Sequence, residues 1–259
     1  FDISDEMDSD DTIEIEDDFD ISDEMDSDIN IEIEEDTQRT PEQEQANNER
    51  ESVYLISEFA QKWYAEQLFS EEGKRIGLSY FRERGFTDET IAKFGLGYAP
   101  LKKDAFATEA LAKAYNAEVL LASGISLQRE DGGWYDRFWG RVLFPIHSIS
   151  GRVLGFGGRV LNTDAKTAKY LNSPENPIYH KSKILFGLFQ SRKGIVKQDE
   201  AYLVEGYTDV ISLHQIGVEN VVSSSGTSLT EDQIRLIKRY SNNVTILYDG
   251  DAAGIRASF

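Results

Sequence analysis

The sequence predicts an α+β region followed by an α/β region with a parallel sheet, both preceded by an acidic tail. Residues 1–36 contain 19 Asp/Glu and no Lys/Arg. Residues 126–160 contain strand-like runs that follow several helical patterns. Residues 201–254 alternate between strand-like and helical patterns, which is typical of a parallel sheet with crossover helices. The predicted divisions of the chain are residues 1–48, 49–198 and 199–259.

The acidic tail is an internal repeat. Residues 1–18 recur as residues 19–36, with 15 of 18 positions identical. Dense like charge with few large apolar groups cannot form a core, so disorder is expected, with the polar residues 37–48 as a linker. A solvating tail is the simpler interpretation. The alternative is an interaction tail or an acidic mimic of nucleic acid that covers a basic surface.

The composition excludes several classes of protein. The chain has 259 residues and no cysteine, so neither a disulfide framework nor a Cys-ligated zinc site is expected in it. We find no secretory signal and no apolar run of membrane-spanning length, which favours a cytoplasmic protein without a membrane partner. Most of the net charge of −20 belongs to the tail, because residues 37–259 contain 28 acidic and 27 basic groups. The acidity therefore does not argue against nucleic-acid binding by the folded regions.

The start of the α+β region has helical periodicity. Apolar residues recur at helical spacing between Glu49 and Phe69, and Thr87 is the expected N-cap of a helix over residues 87–94. The Gly-rich residues 95–100 should break the helices, and two more helices are expected near 104–115 and 117–123. We assign these apolar positions to the core and give them no chemical role.

The end of the α+β region is basic and strand-like. Residues 130–133 are a hairpin turn signal, and residues 141–146 and 152–160 are expected strands. Residues 129–197 contain 12 Lys/Arg against 5 Asp/Glu, a surplus suited to holding a polyanion. The glycines of 155–159 could offer backbone to phosphate, but this segment lacks both the Lys-Ser/Thr of a P-loop and the helix of a dinucleotide site.

The α/β region places carboxylates where parallel strands end. Strand-like runs at 201–204, 220–223 and 244–248 alternate with helices, one of which has Thr230 as its expected N-cap. A single Glu-Gly is usually a turn, and a single Asp-Gly-Asp is often a solvated loop. Their occurrence at equivalent strand ends instead favours a cation site, since ligands bind at that edge and Mg²⁺ prefers carboxylate oxygen. The predicted ligands are Glu205, Asp249 and Asp251.

Two motifs of this region resemble a known fold. LVEGYTDV (203–210) and LYDGDAAG (247–254) resemble the Toprim fold of DnaG-type primases, topoisomerases and some nucleases. Four upstream segments are similar to the N-terminal subdomain of the bacterial DnaG-type primase catalytic core, and SSSGTSLT (223–230) is similar to the loop after its second Toprim strand. The upstream segments are RFWGRVLFPI (137–146), GRVLGFGGRV (151–160), KYLNSPE (169–175) and YHKSKILFG (179–187).

The resemblance implies an enzyme that synthesises short RNA primers on single-stranded DNA from ribonucleoside triphosphates. It implies Mg²⁺ (or Mn²⁺) as cofactor, and a replicative helicase and single-strand-binding protein as partners in a bacterial cytoplasm. Glu205, Asp249 and Asp251 would be catalytic, with Asp209 as a further metal ligand. The implied nucleic-acid and nucleotide ridge comprises Arg159, Lys169 and Lys181, with Arg137 and Arg141 as weaker candidates.

Departures from the family pattern leave alternatives open. The family's zinc module needs cysteines and is not expected here, and its last Toprim strands, helical subdomain and helicase-binding region would lie beyond Phe259. A fragment with an incomplete parallel sheet is therefore expected. The alternatives are another Toprim enzyme, namely a topoisomerase or nuclease, and a non-catalytic nucleic-acid-binding piece. The three histidines lack metal-ligand spacing and are expected to be structural or surface residues: His147, His180 and His214.

Overall fold

The computed structural model describes residues 40–161, 167–225 and 228–248. The chain divides into a unit of residues 1–42 and a compact unit of residues 43–259. The expectation of disorder for residues 1–39 falls outside the described part of the chain. In that part, no helix is long and apolar enough to cross a membrane.

The helices lie mainly in the first half and around the parallel sheet. In chain order the α-helices are α1 (Pro41–Leu68), α2 (Glu71–Gly73), α3 (Ser79–Glu83), α4 (Asp88–Phe94), α5 (Ala105–Ala112), α6 (Ala117–Ser123), α7 (Leu188–Gln198), α8 (Tyr207–Gln215) and α9 (Glu231–Lys238). A π-helical turn, Lys74–Leu78, joins α2 to α3, and a 3₁₀ turn, Lys181–Lys183, precedes α7.

The strands form three sheets. The strands are β1 (Gly97–Ala99), β2 (Ser126–Gln128), β3 (Trp134–Asp136), β4 (Arg141–His147), β5 (Val153–Val160), β6 (Tyr170–Asn172), β7 (Ala201–Val204), β8 (Val221–Ser223) and β9 (Val244–Leu247). An antiparallel sheet has the order β1-β4-β5-β6, a hairpin pairs β2 with β3, and a parallel sheet has the order β8-β7-β9. The predicted succession of α+β and α/β regions is confirmed.

The long helix α1 corrects one prediction. Residues 41–48, which the composition assigns to a disordered linker, are helical and exposed. Pro41 suits the first position of a helix, and the Glu, Gln and Ala residues after it are strong helix formers. The helix can extend into this polar segment because its second half is already fixed by burial of an apolar face, which removes the cost of nucleation. That face comprises Val53, Ile56, Ala60, Tyr64 and Leu68.

Local signals in the α+β region are confirmed. The Thr87 hydroxyl accepts a hydrogen bond from the Thr90 N–H and caps α4, as the sequence predicts. The turn at residues 130–133 joins β2 to β3, and β4 pairs with β5 along its whole length. The strand β1 was not predicted, because Gly97–Ala99 has the composition of a helix break; it is fixed by pairing with β4.

The parallel sheet brings three strand ends to one edge. Val204 of β7 pairs with Ser223 of β8 and with Leu247 of β9, so all three strands end at the same level. The predicted cap of α9 is confirmed, since Thr230 accepts from the Gln233 N–H while the Gln233 side chain accepts from the Thr230 N–H. This arrangement is the α/β part of the predicted fold.

Candidate active site

Glu205 lies at the carboxyl edge of the parallel sheet. It follows the last residue of β7, and its backbone carbonyl accepts a 2.8 Å hydrogen bond from the Ser223 hydroxyl at the end of β8. Burial raises the pKa of the Tyr248 hydroxyl, and the negative charge of Glu205 raises it further. Glu205 is thus half-buried between two neighbouring strand ends, at the position expected for a ligand-binding carboxylate.

Asp209 is one helical turn away. It lies in the first turn of α8, and its carboxylate accepts a 3.0 Å hydrogen bond from the Gly206 N–H. An acid at a helix N-terminus is favoured by the helix dipole, so this bond fixes the turn that separates Glu205 from Asp209. Asp249 and Asp251, the other predicted ligands, lie outside the described residues.

The described carboxylates fit a divalent cation by chemical type. Glu205 and Asp209 offer hard oxygen ligands on either side of Gly206, which has no side chain to obstruct an ion. Within residues 40–161, 167–225 and 228–248, no group of three or more His, Asp or Glu side chains is arranged around a common point. The described residues therefore do not form a complete metal site among themselves.

A second feature is an open cleft of about 640 Å³ between the π-helical turn with α3 on one side and the end of β5 with the residues before β6 on the other. Among the described residues, its lining contains three cationic side chains and one carboxylate, a balance that suits a polyanion. The lining residues are Arg75, Ile76, Ser79, Tyr80, Glu83, Arg159, Val160, Leu161, Thr167 and Lys169.

Arg159 is held in the cleft by two aromatic rings. Its guanidinium lies 5.0 Å from the centroid of Tyr80 and 5.5 Å from that of Tyr170, and it donates a 3.0 Å hydrogen bond to the Tyr170 hydroxyl. Contacts with two rings restrict the guanidinium to a narrow range of positions. Arg84 stacks on Tyr80 as well, at 5.1 Å, but does not line the cleft. The arrangement presents a preorganised cation beside exposed aromatic surface.

Lys169 and Lys181 have different surroundings. Lys169 is exposed at the cleft, immediately before β6. Lys181 begins the 3₁₀ turn, where its backbone N–H donates to Glu175 and its carbonyl accepts from Gln233. Burial lowers the pKa of the Lys181 ammonium. The structure brings Arg159 and Lys169 together in one cleft, whereas Lys181 does not line it.

The surroundings of Arg141 differ from those expected of a nucleic-acid-binding residue. It is only 7% exposed, and its guanidinium donates to the carbonyls of Gly158, Ala168 and Lys169. A guanidinium whose N–H groups are bound to backbone oxygens beneath the surface is not placed to contact phosphate. Arg137 is half-buried and its Nε donates to the Gly124 carbonyl at 2.8 Å, so it also supports the fold. Both residues keep the neighbouring loops and strands in place.

The glycines of β5 have a different role from the phosphate contact considered for them. A Cβ on Gly157 would lie 2.4 Å from the ring of Tyr207, and one on Gly158 would lie 2.7 Å from the ring of Phe138. Both residues are buried, so they make room for aromatic rings instead of offering backbone to phosphate. The glycine-rich strand is therefore a packing surface.

The three histidines differ in burial: His214 is buried, His147 is partly buried and His180 is exposed. Burial lowers the pKa values of His147 and His214 to about 4, so both are neutral at neutral pH. His214 is buried against Phe94, and its Nε2 lies 2.8 Å from the Ser191 hydroxyl. His180 is exposed and pairs with Glu175 at 2.9 Å.

Several residues of the site are absent from the sequence prediction. Arg75 and Tyr80 come from a helical segment to which we gave no role, and Tyr170 and Asn172 come from a strand too short to detect by alternation. The interleaving of Lys169 with Tyr170 and of Arg82 and Arg84 with Tyr80 was the available signal, since cationic and aromatic residues recur together in nucleic-acid-binding surfaces.

Comparison with known families matches both folded regions. A family model described as "DNA primase catalytic core, N-terminal domain" matches residues 63–192, and one described as "Toprim-like" matches residues 202–259. Among curated proteins, the DNA primase of Halalkalibacterium halodurans is 44% identical over 214 residues, covering 82% of this chain and 35% of that protein. The DNA primase of Escherichia coli K12 is 39% identical over 212 residues, covering 82% and 36%.

Solved structures give the same result. The RNA polymerase domain of Mycobacterium tuberculosis primase DnaG matches with a TM-score of 0.76 at 35% identity, covering 81% of this chain and 70% of that one. A DnaG primase catalytic domain bound to single-stranded DNA matches with a TM-score of 0.74 at 39% identity, covering 82% and 67%.

The fold and the two matched regions define a primase-type catalytic core in which an N-terminal domain precedes a Toprim domain. The chain belongs to the bacterial DnaG-type DNA primase family. It spans about a third of the length of the curated relatives that it matches. The upstream match distinguishes it from topoisomerases and nucleases, which were the alternative Toprim enzymes.

Proposed function

We propose that this chain is the part of a DNA primase that holds single-stranded template and the first metal-binding carboxylates during synthesis of RNA primers. The observation that supports this most is the closeness of two sites. The cation-lined cleft is built partly on the end of β5 and on Lys169, the residue before β6, and the turn that contains Glu205 and Asp209 packs against these two strands through Tyr207. A polyanion in the cleft would therefore lie beside the carboxylate edge.

The cleft is suited to a single strand. Arg75, Arg159 and Lys169 would contact phosphates. The half-buried ring of Tyr80 in the cleft, and the exposed ring of Tyr170 beside Arg159, would stack on bases. Such contacts do not depend on sequence, as a template-binding surface requires. Lys181 remains a proposed nucleotide-binding residue on its own surface, outside the cleft.

The carboxylate edge would hold Mg²⁺ or Mn²⁺ through Glu205 and Asp209, together with Asp249 and Asp251 beyond the described residues. When bound, a divalent ion neutralises charge on the triphosphate and polarises the α-phosphoryl group for attack by a 3′-hydroxyl. The chain's own contribution is to fix Glu205 through the Ser223 hydrogen bond and Asp209 through the Gly206 N–H.

Family membership supports the remaining proposals. The substrates would be ribonucleoside triphosphates, and the partners a replicative helicase and single-strand-binding protein in the primosome of a bacterial cytoplasm. The chemistry is nucleotidyl transfer by a DNA-directed RNA polymerase. These proposals concern the whole protein, since the chain matches about a third of its relatives.

The test compares wild-type protein with Glu205→Gln, in a form of the protein long enough to support synthesis. Primer formation on single-stranded DNA would be measured with ribonucleotides and Mg²⁺. We expect at least a 100-fold loss of product in Glu205→Gln with DNA affinity unchanged, because the variant keeps the shape and removes the charge. Wild-type activity in the variant would refute the site, and DNA nicking without synthesis would refute the reaction.

A further inference from the structure

The ring of Tyr207 joins the metal-binding turn to the antiparallel sheet. Tyr207 is 3% exposed and lies two residues after Glu205, at the start of α8. Its ring stacks on Phe144 of β4 with centroids 5.1 Å apart and planes 10° apart. It covers Gly157 of β5 so closely that a Cβ there would lie 2.4 Å away. The first turn of α8 therefore packs directly on the antiparallel sheet.

The hydroxyl of Tyr207 is bound to the strand that borders the cleft. It donates a 2.7 Å hydrogen bond to Oδ1 of Asn172, which pairs with Gly157 in the sheet. Asn172 follows Tyr170, the residue that holds Arg159, by two positions on β6. One hydrogen bond therefore connects the turn after Glu205 to the strand that presents the cationic cleft.

The same asparagine reaches the parallel sheet by a second route. Its Nδ2 donates to the Ser225 carbonyl at 3.4 Å, and the Ser225 N–H donates to the Ser223 hydroxyl at 2.9 Å. That hydroxyl is the one that donates to the Glu205 carbonyl. Asn172 is thus connected to the Glu205 backbone by two chains of contacts. One runs through Tyr207, two residues after Glu205, and the other runs through the loop after β8 to the Glu205 carbonyl.

We propose that Tyr207 and Asn172 are positioning residues that set the distance between the Glu205 carboxylate and a nucleic-acid strand in the cleft. Neither side chain is needed to bind the strand or the metal ion. Their hydrogen bond fixes the position of the turn after Glu205 relative to β6. Its loss therefore lowers the rate of the chemical step without weakening the binding of the nucleic-acid strand or of the metal ion. This inference rests on the proposed function for its kinetic test, and a separate structural test is independent of activity.

The kinetic test uses Tyr207→Phe, which keeps the ring and removes the hydroxyl. One hydrogen bond between buried groups corresponds to about a fivefold to tenfold loss of kcat. We expect that loss with the nucleotide KM and the single-stranded DNA Kd within about twofold of wild type. Asn172→Ala should lose at least as much, because it removes this bond and also the bond to the Ser225 carbonyl. The double variant should be no worse than Asn172→Ala, because both substitutions remove the same bond between Tyr207 and Asn172.

The matched control is Tyr98→Phe. Tyr98 is also a buried tyrosine, but its hydroxyl donates to Glu72 at 2.9 Å and not to β6. Tyr98→Phe should lose about as much thermal stability as Tyr207→Phe and keep the wild-type kcat. A fall of kcat in the control equal to that in Tyr207→Phe would overturn the proposal, as would additive losses in the double variant or a defect confined to KM.

The structural test needs no catalysis. Because the chain has no cysteine, spin labels can be placed at two exposed lysines through Lys113→Cys in the first region and Lys238→Cys in the second. Gly157→Ala forces the ring of Tyr207 to move, so the distance distribution measured by double electron–electron resonance should shift or broaden. Gly133→Ala in the exposed hairpin turn, where a Cβ meets only Asp131, is the control.

The two tests separate the proposals. If wild-type protein makes no primers, the proposed function fails, while the spin-label distances still decide whether Tyr207 sets the spacing. If primers form and Gly157→Ala leaves the distances unchanged, the proposed function stands and the positioning role is wrong.

Discussion

Replacement of Arg159 by alanine should reduce both the affinity for single-stranded DNA and its dependence on salt. Among residues 40–161 and 167–225, the lining of the cleft contributes three cations, Arg75, Arg159 and Lys169. For single strands, each neutralised phosphate contributes about −0.7 to the slope of log K against log salt concentration. Three contacts give a slope of about −2.1, hence about an 18-fold loss of affinity between 50 and 200 mM salt. With two contacts the slope is about −1.4 and the loss about sevenfold.

Fluorescence anisotropy with a labelled oligonucleotide over that range of salt measures both quantities. Arg84→Ala is the matched control, because Arg84 stacks on the same Tyr80 ring but lies outside the cleft lining. It should leave the slope unchanged. Arg159→Lys should keep the slope and lose affinity, since lysine retains the charge but not the planar group held between two rings. A slope for Arg159→Ala equal to that of wild type would refute the placement of DNA in this cleft.

Three further outcomes are expected. Arg141→Leu should lower the free energy of unfolding by about 2–4 kcal/mol in urea titrations, because the carbonyls of Gly158 and Ala168 lose their buried donor. Stability should fall as pH drops from about 6.5 to about 4, because the folded state lowers the pKa of His214 to about 4 and binds fewer protons than the unfolded state. Deletion of residues 1–36 should change the DNA Kd at 0.15 M salt by less than about threefold, because exposed charges are screened within about 8 Å.

Each outcome has a result that would contradict it. If Arg141→Leu kept the wild-type free energy of unfolding but bound DNA more weakly, Arg141 would have to be part of the DNA-binding surface. For the pH dependence, His214→Gln should remove about half of the fall between pH 6.5 and 4, because His147, whose pKa is also lowered to about 4, contributes the rest. An unaltered curve would show that His214 does not contribute to the fall. A large gain in DNA affinity after the deletion would support the acidic mimic, which is the alternative interpretation of the tail.

The strand-end carboxylates and the order of regions could be predicted because their signals are local. Alternating strands and helices determine a parallel sheet, and any residue that follows such a strand lies at its carboxyl edge, as Glu205 does. The cap at Thr87 and the hairpin turn are equally local. These features depend on a few adjacent residues and the periodicity around them.

The roles of Arg141 and Gly157 could not be predicted because they depend on distant contacts. An arginine in a basic segment has the same sequence signal whether its guanidinium meets solvent or the carbonyls of a loop 27 residues away. Likewise, a glycine that approaches phosphate and one that accommodates Tyr207 are identical in sequence. The resemblance of the motifs identifies the family, while the function of each residue depends on packing.

The π-helical turn bears on how this chain can vary in length. In Lys74–Leu78 the Ser79 N–H reaches back five residues to the Lys74 carbonyl, one residue more than in an α-helix. This wide turn accommodates one residue more than an α-helical turn, so deleting a single residue there should restore ordinary helical bonding and leave the residues after it in nearly the same register. Inserting one residue would instead rotate the residues after it by about 100° about the helix axis and turn Tyr80 away from Arg159. The segment should therefore tolerate a one-residue deletion better than a one-residue insertion.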